Sequence, residues 1–585
     1  MFFFIEQIKK LLFIFEKRFT SFIPLIILFL IGSFLELFSL GLLIPYIKMI
    51  ANPEIIYQTD IGKFIPFDVG VIKNAKNIFI TYSILFIIIY TFKSFFIVVI
   101  RVLISKFCLK NLRNLQIKLL SSYQNMNYSD FTKRNHSEYI RNIRELSSEC
   151  MTCLDHGLRI LSELIVVFSV VIFLIILEPI PLLAIGTVIA TSLILYNSFL
   201  KPKAIKYGTK KINAIKLLYK SVDESFKGFK EILILGKQSF FTKFLGESVN
   251  EIFKNDLKQK IILFTPRHFL ELVIVIFIVV FLATQNFYTG QESNILPIVG
   301  VFAVAGLRIL PSANIISSGM LMIGYAYPSL NIIYEDLNKL TKYNKSNQKI
   351  PNKILINNFK SIEFKNIEFK YPDSSKFVFE NLNFSLLNKQ SIGIIGETGS
   401  GKTTLVDILL GFLEPNKGKI SINNKEMNLV PDNWKNKISY LPQEHLIINN
   451  TIEKNITLSD DNENIDLEKV KKAIKQANLE KFTNNLPKGF NTIIGEGGVR
   501  FSGGQYKKIC LARLFYHDKE ILIMDEATNS LDKKSEDFVI EEIKKLKGKK
   551  TIILISHNHN TLKNCDKIYK IQNQKIVDVT NAIQI

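Results

Sequence analysis

In Gly396-Glu397-Thr398-Gly399-Ser400-Gly401-Lys402-Thr403, three glycines precede a lysine and a threonine at the spacing G-x-x-x-x-G-K-[ST]. Glycines at these positions let successive backbone N–H groups converge on phosphate oxygens at the start of a helix. Lys402 then reaches the outer phosphates, and the hydroxyl of Thr403, with Thr404 beside it, is placed to meet Mg²⁺. The chemistry implied is the binding of a nucleoside triphosphate.

Other residue types capable of phosphate chemistry follow in order. Tyr371, in Phe369-Lys370-Tyr371-Pro372, precedes the loop and offers a ring to stack on adenine, although an aromatic there also suits a core. Gln443 follows an apolar segment ending at Tyr440 and is placed to touch Mg²⁺ and a water. Phe501-Ser502-Gly503-Gly504-Gln505 opens a helix, so its hydroxyl and amides form an anion site suited to a γ-phosphate. Ile521-Leu522-Ile523-Met524 delivers Asp525 and Glu526, of which Asp525 would orient the metal and Glu526 would act as general base on water. Ser530-Leu531-Asp532 comes next, and a second apolar run, Thr551 to Ser556, delivers His557, suited to contact the γ-phosphate and hold the water.

Strands must carry these groups to one edge. Ser391 to Ile395 reads as a buried strand before the loop, and Thr404 to Leu410 as an apolar helix after it. Open α/β sheets place ligands at the carboxyl ends of their strands, which is where the acids and the histidine fall. The fold expected for residues 356–585 is therefore an α/β phosphate-loop domain.

The first 335 residues read differently. Crossing a bilayer takes about 20 mostly apolar residues. Six stretches meet this: Phe22 to Ile47, Asn77 to Ile104, Leu158 to Leu177, Ile180 to Phe199, Phe269 to Phe287 and Ile295 to Ile323. Glu178-Pro179 forces a hairpin between the third and fourth, and Tyr288 to Glu292 joins the fifth and sixth. Residues 101–159 carry ten Lys/Arg and residues 201–260 carry fourteen, so the positive-inside bias puts both long loops and the N-terminus in the cytoplasm. Leu112, Leu115 and Leu119 form a helical stripe, so the long loops are read as helical extensions reaching roughly 35–40 Å from the membrane. Their turns are expected near Asn127 to Thr132 and Asp223 to Gly228, as points of mechanical contact. A polar linker, residues 336–355, is expected between the helical domain and the α/β domain.

Charges within spans face protein or a water-filled cavity. Arg308 and Glu36 lie mid-span, and Arg267 and Glu271 open the fifth span. They read either as internal Arg–Glu pairs or as a cationic cavity for an anionic headgroup, with Arg308 and Arg267 as its candidates. The segment from Pro53 to Asp68 reads either as an interfacial helix or as a packed cap.

The formal charge of +22 invites a nucleic-acid partner, but no compact Lys/Arg run or aromatic-interleaved patch accompanies it, so none is expected. An anionic lipid surface suits the excess better. The five cysteines imply no disulfide framework, and Cys150-x-x-Cys153 has no second pair for zinc.

The phosphate loop, Gln443, Ser502 to Gln505, Asp525-Glu526 and His557 together resemble the ATP-binding-cassette (ABC) family. Phe501 stands where leucine is usual, and Tyr506-Lys507-Lys508 replaces a Gln-rich, Arg-containing continuation. The resemblance implies ATP and Mg²⁺ as cofactors and a head-to-tail homodimer in which Ser502 to Gln505 of one subunit closes over ATP held by Lys402 of the other. Six spans followed by one cassette resemble the exporter branch: a six-helix membrane domain fused to an α/β nucleotide-binding domain. Within it, Ser33 to Glu36, Pro45, Pro266-Arg267, Arg308 to Asn314 and Ile332 to Leu337 resemble the bacterial flippases of lipid-linked oligosaccharides that serve protein N-glycosylation. That implies ATP-driven movement of a polyprenyl-diphosphate-linked glycan, its diphosphate attracted by Arg308 and Arg267, across the bacterial inner membrane. The alternatives are an exporter of another amphiphile, such as a lipid A precursor, drug or peptide, and a nucleotide-gated channel. A soluble ATPase acting on nucleic acid does not fit six spans.

Overall fold

The computed structural model describes residues 2–16, 19–51, 75–177, 179–289, 295–348, 356 and 358–583, leaving aside 373, 428–429, 461–462, 464, 496–497, 500 and 530. The predicted segment from Pro53 to Asp68, Glu178, and Gly290 to Glu292 lie outside these residues. The chain divides into two units, 1–126 with 130–348, and 127–129 with 349–585.

The first unit is helical. A short helix α1 (Phe2–Ile14) precedes α2 (Ile23–Ala51), α3 (Ala75–Gln124), α4 (Ser147–Leu177), α5 (Pro179–Lys227), α6 (Gln238–Thr289) and α7 (Ile295–Gln348). Each of α2 to α7 carries one predicted span, and four helices among the described residues are long and apolar enough to cross a membrane. Outward-facing Phe34, Phe38, Ile87 and Phe95 are exposed on them, as lipid contact requires. The helices run on past the apolar stretches: α3 has 50 residues and α6 has 52, about 75 Å each at the α-helical rise. The predicted leucine stripe is buried at Leu115 and Leu119, with Leu112 packed beside them.

α4 packs along α7, and α5 along both α6 and α7. Gly208 permits the closest approach, since a Cβ there would overlap the Tyr325 carbonyl oxygen of α7. The second turn comes later than expected. Asp223 to Lys227 remain on α5, and the chain reverses between Gly228 and Lys237. Gly236, at φ 62°, ends the intervening short helix, with Lys237 N–H donating to the Ile232 carbonyl at 3.1 Å. The polar segment Asn338 to Gln348 lies on α7: a helix already formed extends at one hydrogen bond per residue, even where side chains lack an apolar period.

The second unit is α/β. Strands β1 (Ser361–Phe369), β2 (Phe379–Leu387), β4 (Lys417–Ile422) and β5 (Lys425–Met427) form an antiparallel sheet in the order β2-β1-β4-β5. β3 (Ser391–Gly396), β6 (Ile438–Leu441), β7 (Ile521–Asp525), β8 (Thr551–Ile555), β9 (Lys567–Gln572) and β10 (Lys575–Asp578) form the sheet β10-β9-β3-β8-β7-β6. It is parallel except at the β9–β10 edge. β7 and β8 are buried at every residue, as continuous apolar strands covered on both faces must be. Helices α8 (Lys402–Leu409), α10 (Gly503–His517) and α11 (Lys533–Leu546) flank the sheet, with α9 (Leu467–Gln476) packed on α10. Trp434 is fully buried and its indole N–H donates to the Leu409 carbonyl at 2.8 Å, closing the core behind α8. Tyr128, which clusters with this unit, stacks on Phe412 with ring centroids 5.0 Å apart.

Candidate nucleotide site and membrane charge network

Register aligns the site. Ile555 pairs with both Ile394 and Asp525, so β3, β7 and β8 end level and release the phosphate loop, Glu526 and His557 at one edge. The loop Glu397 to Gly401 leads into α8. Gly399 and Gly401 have φ of 82° and 104°, and a Cβ on Gly401 would lie 2.8 Å from Val378 and 2.9 Å from Phe379. The Lys402 ammonium donates to the carbonyls of Gly396 and Glu397 at 2.7 and 3.0 Å. Burial lowers its pKa, opposed by the charges of Glu526 and Asp525. The buried hydroxyl of Ser400 has no hydrogen-bond partner within the protein. An ammonium and an unpartnered hydroxyl beside helix-start amides fit the phosphates of a nucleotide.

Tyr371 bonds the Thr404 hydroxyl at 3.0 Å and meets Phe369 edge on, leaving its ring partly exposed for a base. Asp525 is buried at the end of β7, and burial, reinforced by Glu526, raises its pKa. A carboxylate disfavoured in this way fits a divalent cation, so Asp525, Thr403 and Gln443 are the residues that would hold Mg²⁺. Bound there, the ion would neutralise phosphate charge.

Glu526 gathers the catalytic candidates. It takes a left-handed φ of 54°, and its N–H donates to the Ile555 carbonyl at 2.9 Å, tying it to β8. One carboxylate oxygen accepts from Gln443 at 3.3 Å and from Asn529 at 2.8 Å; the other lies 3.6 Å from His557 Nε2. Gln443, Asn529 and His557 thus converge on one carboxylate, an arrangement that suits a general base with orienting groups. Asn529 was not among the residues singled out from the sequence. Its position three residues after Glu526, across one turn, is the signal that would have found it.

Ser502 caps α10 in a reciprocal box: its hydroxyl accepts from the Gln505 N–H at 3.3 Å, while the Ser502 N–H donates to the Gln505 side chain at 2.8 Å. Gly503 has open space around it, and Gly504 follows on the helix. Phe501 fills its position by meeting Phe482 edge on, centroids 4.8 Å apart, so the larger ring is accommodated. Asp532 accepts from the Ser535 N–H at 3.1 Å as the cap of α11.

In the helical unit, Arg308 Nε lies 2.9 Å from Glu36 and its terminal nitrogen 3.4 Å from Glu163. Lys93 lies 3.3 Å from Glu36, Arg101 3.0 Å from Glu163, and Ser312 donates to Glu163 at 2.9 Å. Arg308 is therefore held by carboxylates from two other helices. Arg267 instead stands on the surface, paired with Glu271 one turn away at 3.0 Å. A groove of about 940 Å³ along α3 interleaves Val98, Val102 and Leu109 with Arg101, Lys106 and Arg113.

A helical membrane domain fused to a C-terminal α/β domain with these motifs is the fold of an ABC exporter. Residues 379–529 match the family model described as ABC transporter. Across 95% of this chain and 94% of the other, the structure superposes on that of a bacterial Atm1-family ABC exporter with ATP bound, at a TM-score of 0.75 and 19% identity. Among curated proteins, ABC transporter B family member 13 of Arabidopsis thaliana is 33% identical over 273 residues, 45% of this chain. The leukotoxin translocation ATP-binding protein LktB of Mannheimia haemolytica is 37% identical over 218 residues, 37% of this chain. The chain spans only 22% and 30% of the length of these two relatives.

Proposed function

We propose that the protein is an ATP-driven exporter acting as a homodimer, and that its cargo is an anionic amphiphile of the polyprenyl-diphosphate-linked oligosaccharide class. The observation that carries the ATPase reading is the convergence of Gln443, Asn529 and His557 on Glu526 beside the phosphate loop. Glu526 takes a proton from water as the water oxygen bonds the γ-phosphorus; the bond to the β-phosphate oxygen breaks, giving ADP and phosphate. Lys402 and the loop amides would hold the phosphates, Asp525, Thr403 and Gln443 would hold Mg²⁺, and Tyr371 would stack on the base. In this reading two identical chains pair, with Ser502 to Gln505 of each covering the other's ATP. The Lys/Arg bias supports a cytoplasmic N-terminus and nucleotide domain, and the membrane of this reading is the bacterial inner membrane.

The cargo reading is supported by charge. Among the described residues, Lys93, Arg101 and Arg308 pair with Glu36 and Glu163, an excess of one positive charge within the network. The groove along α3, which includes Arg101, offers apolar and basic side chains side by side, suited to a lipid with a phosphorylated head. A second reading, export of a toxin or other polypeptide, is favoured by the likeness to LktB.

In liposomes, the purified protein should hydrolyse ATP, and Arg308→Ala should reduce glycolipid flipping more than basal hydrolysis. Equal flipping by parent and variant refutes the cargo role of Arg308. Stimulation of hydrolysis by a polypeptide but not by a diphosphate lipid favours the second reading.

A further inference from the structure

The sequence departs from the ABC pattern directly after Gln505, at Tyr506-Lys507-Lys508, and the structure gives both lysines specific partners. Lys507 is buried on α10, and its ammonium donates to the backbone carbonyl of Glu526 and, at 3.1 Å, to that of Asn529. The Asn529 N–H also donates to the Glu526 carbonyl, at 3.2 Å, so one ammonium ties together both ends of a turn already closed by a backbone hydrogen bond. Lys508 donates to the Ser535 hydroxyl at 2.7 Å, bracing the first turn of α11 from the same helix.

Glu526 is not a glycine, yet it sits at φ 54°. That conformation brings Cβ too close to the following carbonyl and persists only where the surroundings over-determine it. The restraints are the Ile555 carbonyl on its N–H, the Lys507 ammonium on its C=O, and Asn529 on its carboxylate. A buried lysine facing two carbonyls is costly to desolvate, and here it is bonded to the turn that presents the general base.

We infer that Lys507 is a positioning residue for ATP cleavage: from α10 it clamps the 526–529 turn and, through Asn529, fixes the direction of the Glu526 carboxylate. The inference rests on the ATPase reading above. Lys507 bonds the backbone of the turn and acts through Glu526. Loss of the clamp therefore slows cleavage without weakening ATP binding.

The test is steady-state ATPase of the full chain in liposomes. Parent and Lys402→Ala come first: absence of Lys402-dependent hydrolysis in the parent defeats the ATPase reading itself. With that activity in hand, Lys507→Met, which keeps the stem and removes the donors, should lower kcat about tenfold or more, since misplacing a reacting group by about 1 Å costs up to about a hundredfold. The KM for ATP should stay within about twofold. Lys507→Gln, whose amide still offers two donors, should recover most of the rate. In a Glu526→Gln background, Lys507→Met should cause no further loss, because the group it positions is gone. A kcat equal to the parent's, a KM rising in step with the loss, or an added loss in the Glu526→Gln background overturns the clamp while leaving the ATPase reading intact. If Lys507→Met does not fold, Asn529→Ala decides by the same kcat and KM measurements: a fall in kcat alone supports the clamp, and an unchanged kcat overturns it.

Discussion

Asp407, on α8 one turn beyond Thr403, is a carboxyl that the site does not use but must tolerate. Burial, with the charge of Asp525 adding to it, pushes its pKa from 3.8 up to about 6. Because the folded-state value is the higher one, this residue's contribution to stability is fully present below about pH 4 and is lost as pH rises through about 6. Asp407→Asn should therefore stabilise the protein by about 1–2 kcal/mol at pH 7.5, after allowance for partial hydration, and by roughly half that at pH 5. Thermal melts of the full chain in detergent at the two pH values check this; an equal gain at both contradicts it. Gly401 is a second case in which a single residue decides. Its φ of 104° and its contacts with Val378 and Phe379 leave no room for a Cβ, so Gly401→Ala should distort the loop and raise the KM for ATP about tenfold or more. An unchanged KM in the same ATPase assay would show that the loop relaxes without penalty.

Between helices, Asp336 on α7 ties several elements of the long helical extensions together. Its carboxylate accepts two hydrogen bonds from the Arg134 guanidinium, at 2.8 and 2.9 Å, and further bonds from Tyr123 at 2.8 Å and Asn142 at 3.1 Å. Removing one partner of a buried pair costs about 3–5 kcal/mol; because Arg134 is partly exposed, Asp336→Ala should cost about 2–3 kcal/mol. The double variant with Arg134→Ala should cost little more than the single one, measured by detergent-phase unfolding. Full additivity would show that the two side chains do not act as a pair. The helices themselves were legible, because about twenty apolar residues or a Leu112-Leu115-Leu119 stripe is local information. So was the nucleotide edge, where each apolar strand ends directly in its functional residue. Of the partners of Arg308, Glu36 was named beside it in one of two readings, an internal Arg–Glu pair, but Glu163 was not: it comes from a helix far away in sequence, and nothing local distinguishes an arginine held by carboxylates from one facing a cavity. Lys507 was visible only as a departure from a pattern, since its partners are backbone carbonyls whose positions depend on the fold. The later turn after α5 was missed because Asp223 to Lys227 is as acceptable in a helix as in a turn, and Gly236 supplies the stop.

At the scale of the whole molecule, a helical unit bearing a buried charge network and an α/β unit bearing a phosphate loop share one chain. Export requires that cleavage of ATP in the second unit change the first. The account therefore stands or falls on whether Glu526 drives turnover while Lys402 secures the nucleotide. Loss of one positioned general base costs about 10²–10⁴ in rate. The most direct measurement is radiolabelled ATP bound and cleaved by the purified protein in liposomes with Mg²⁺, comparing the parent with Lys402→Ala and Glu526→Gln. The account predicts that Glu526→Gln retains ATP with cleavage reduced by at least about a hundredfold, and that Lys402→Ala loses both binding and cleavage. Cleavage by Glu526→Gln at the parent's rate would contradict it.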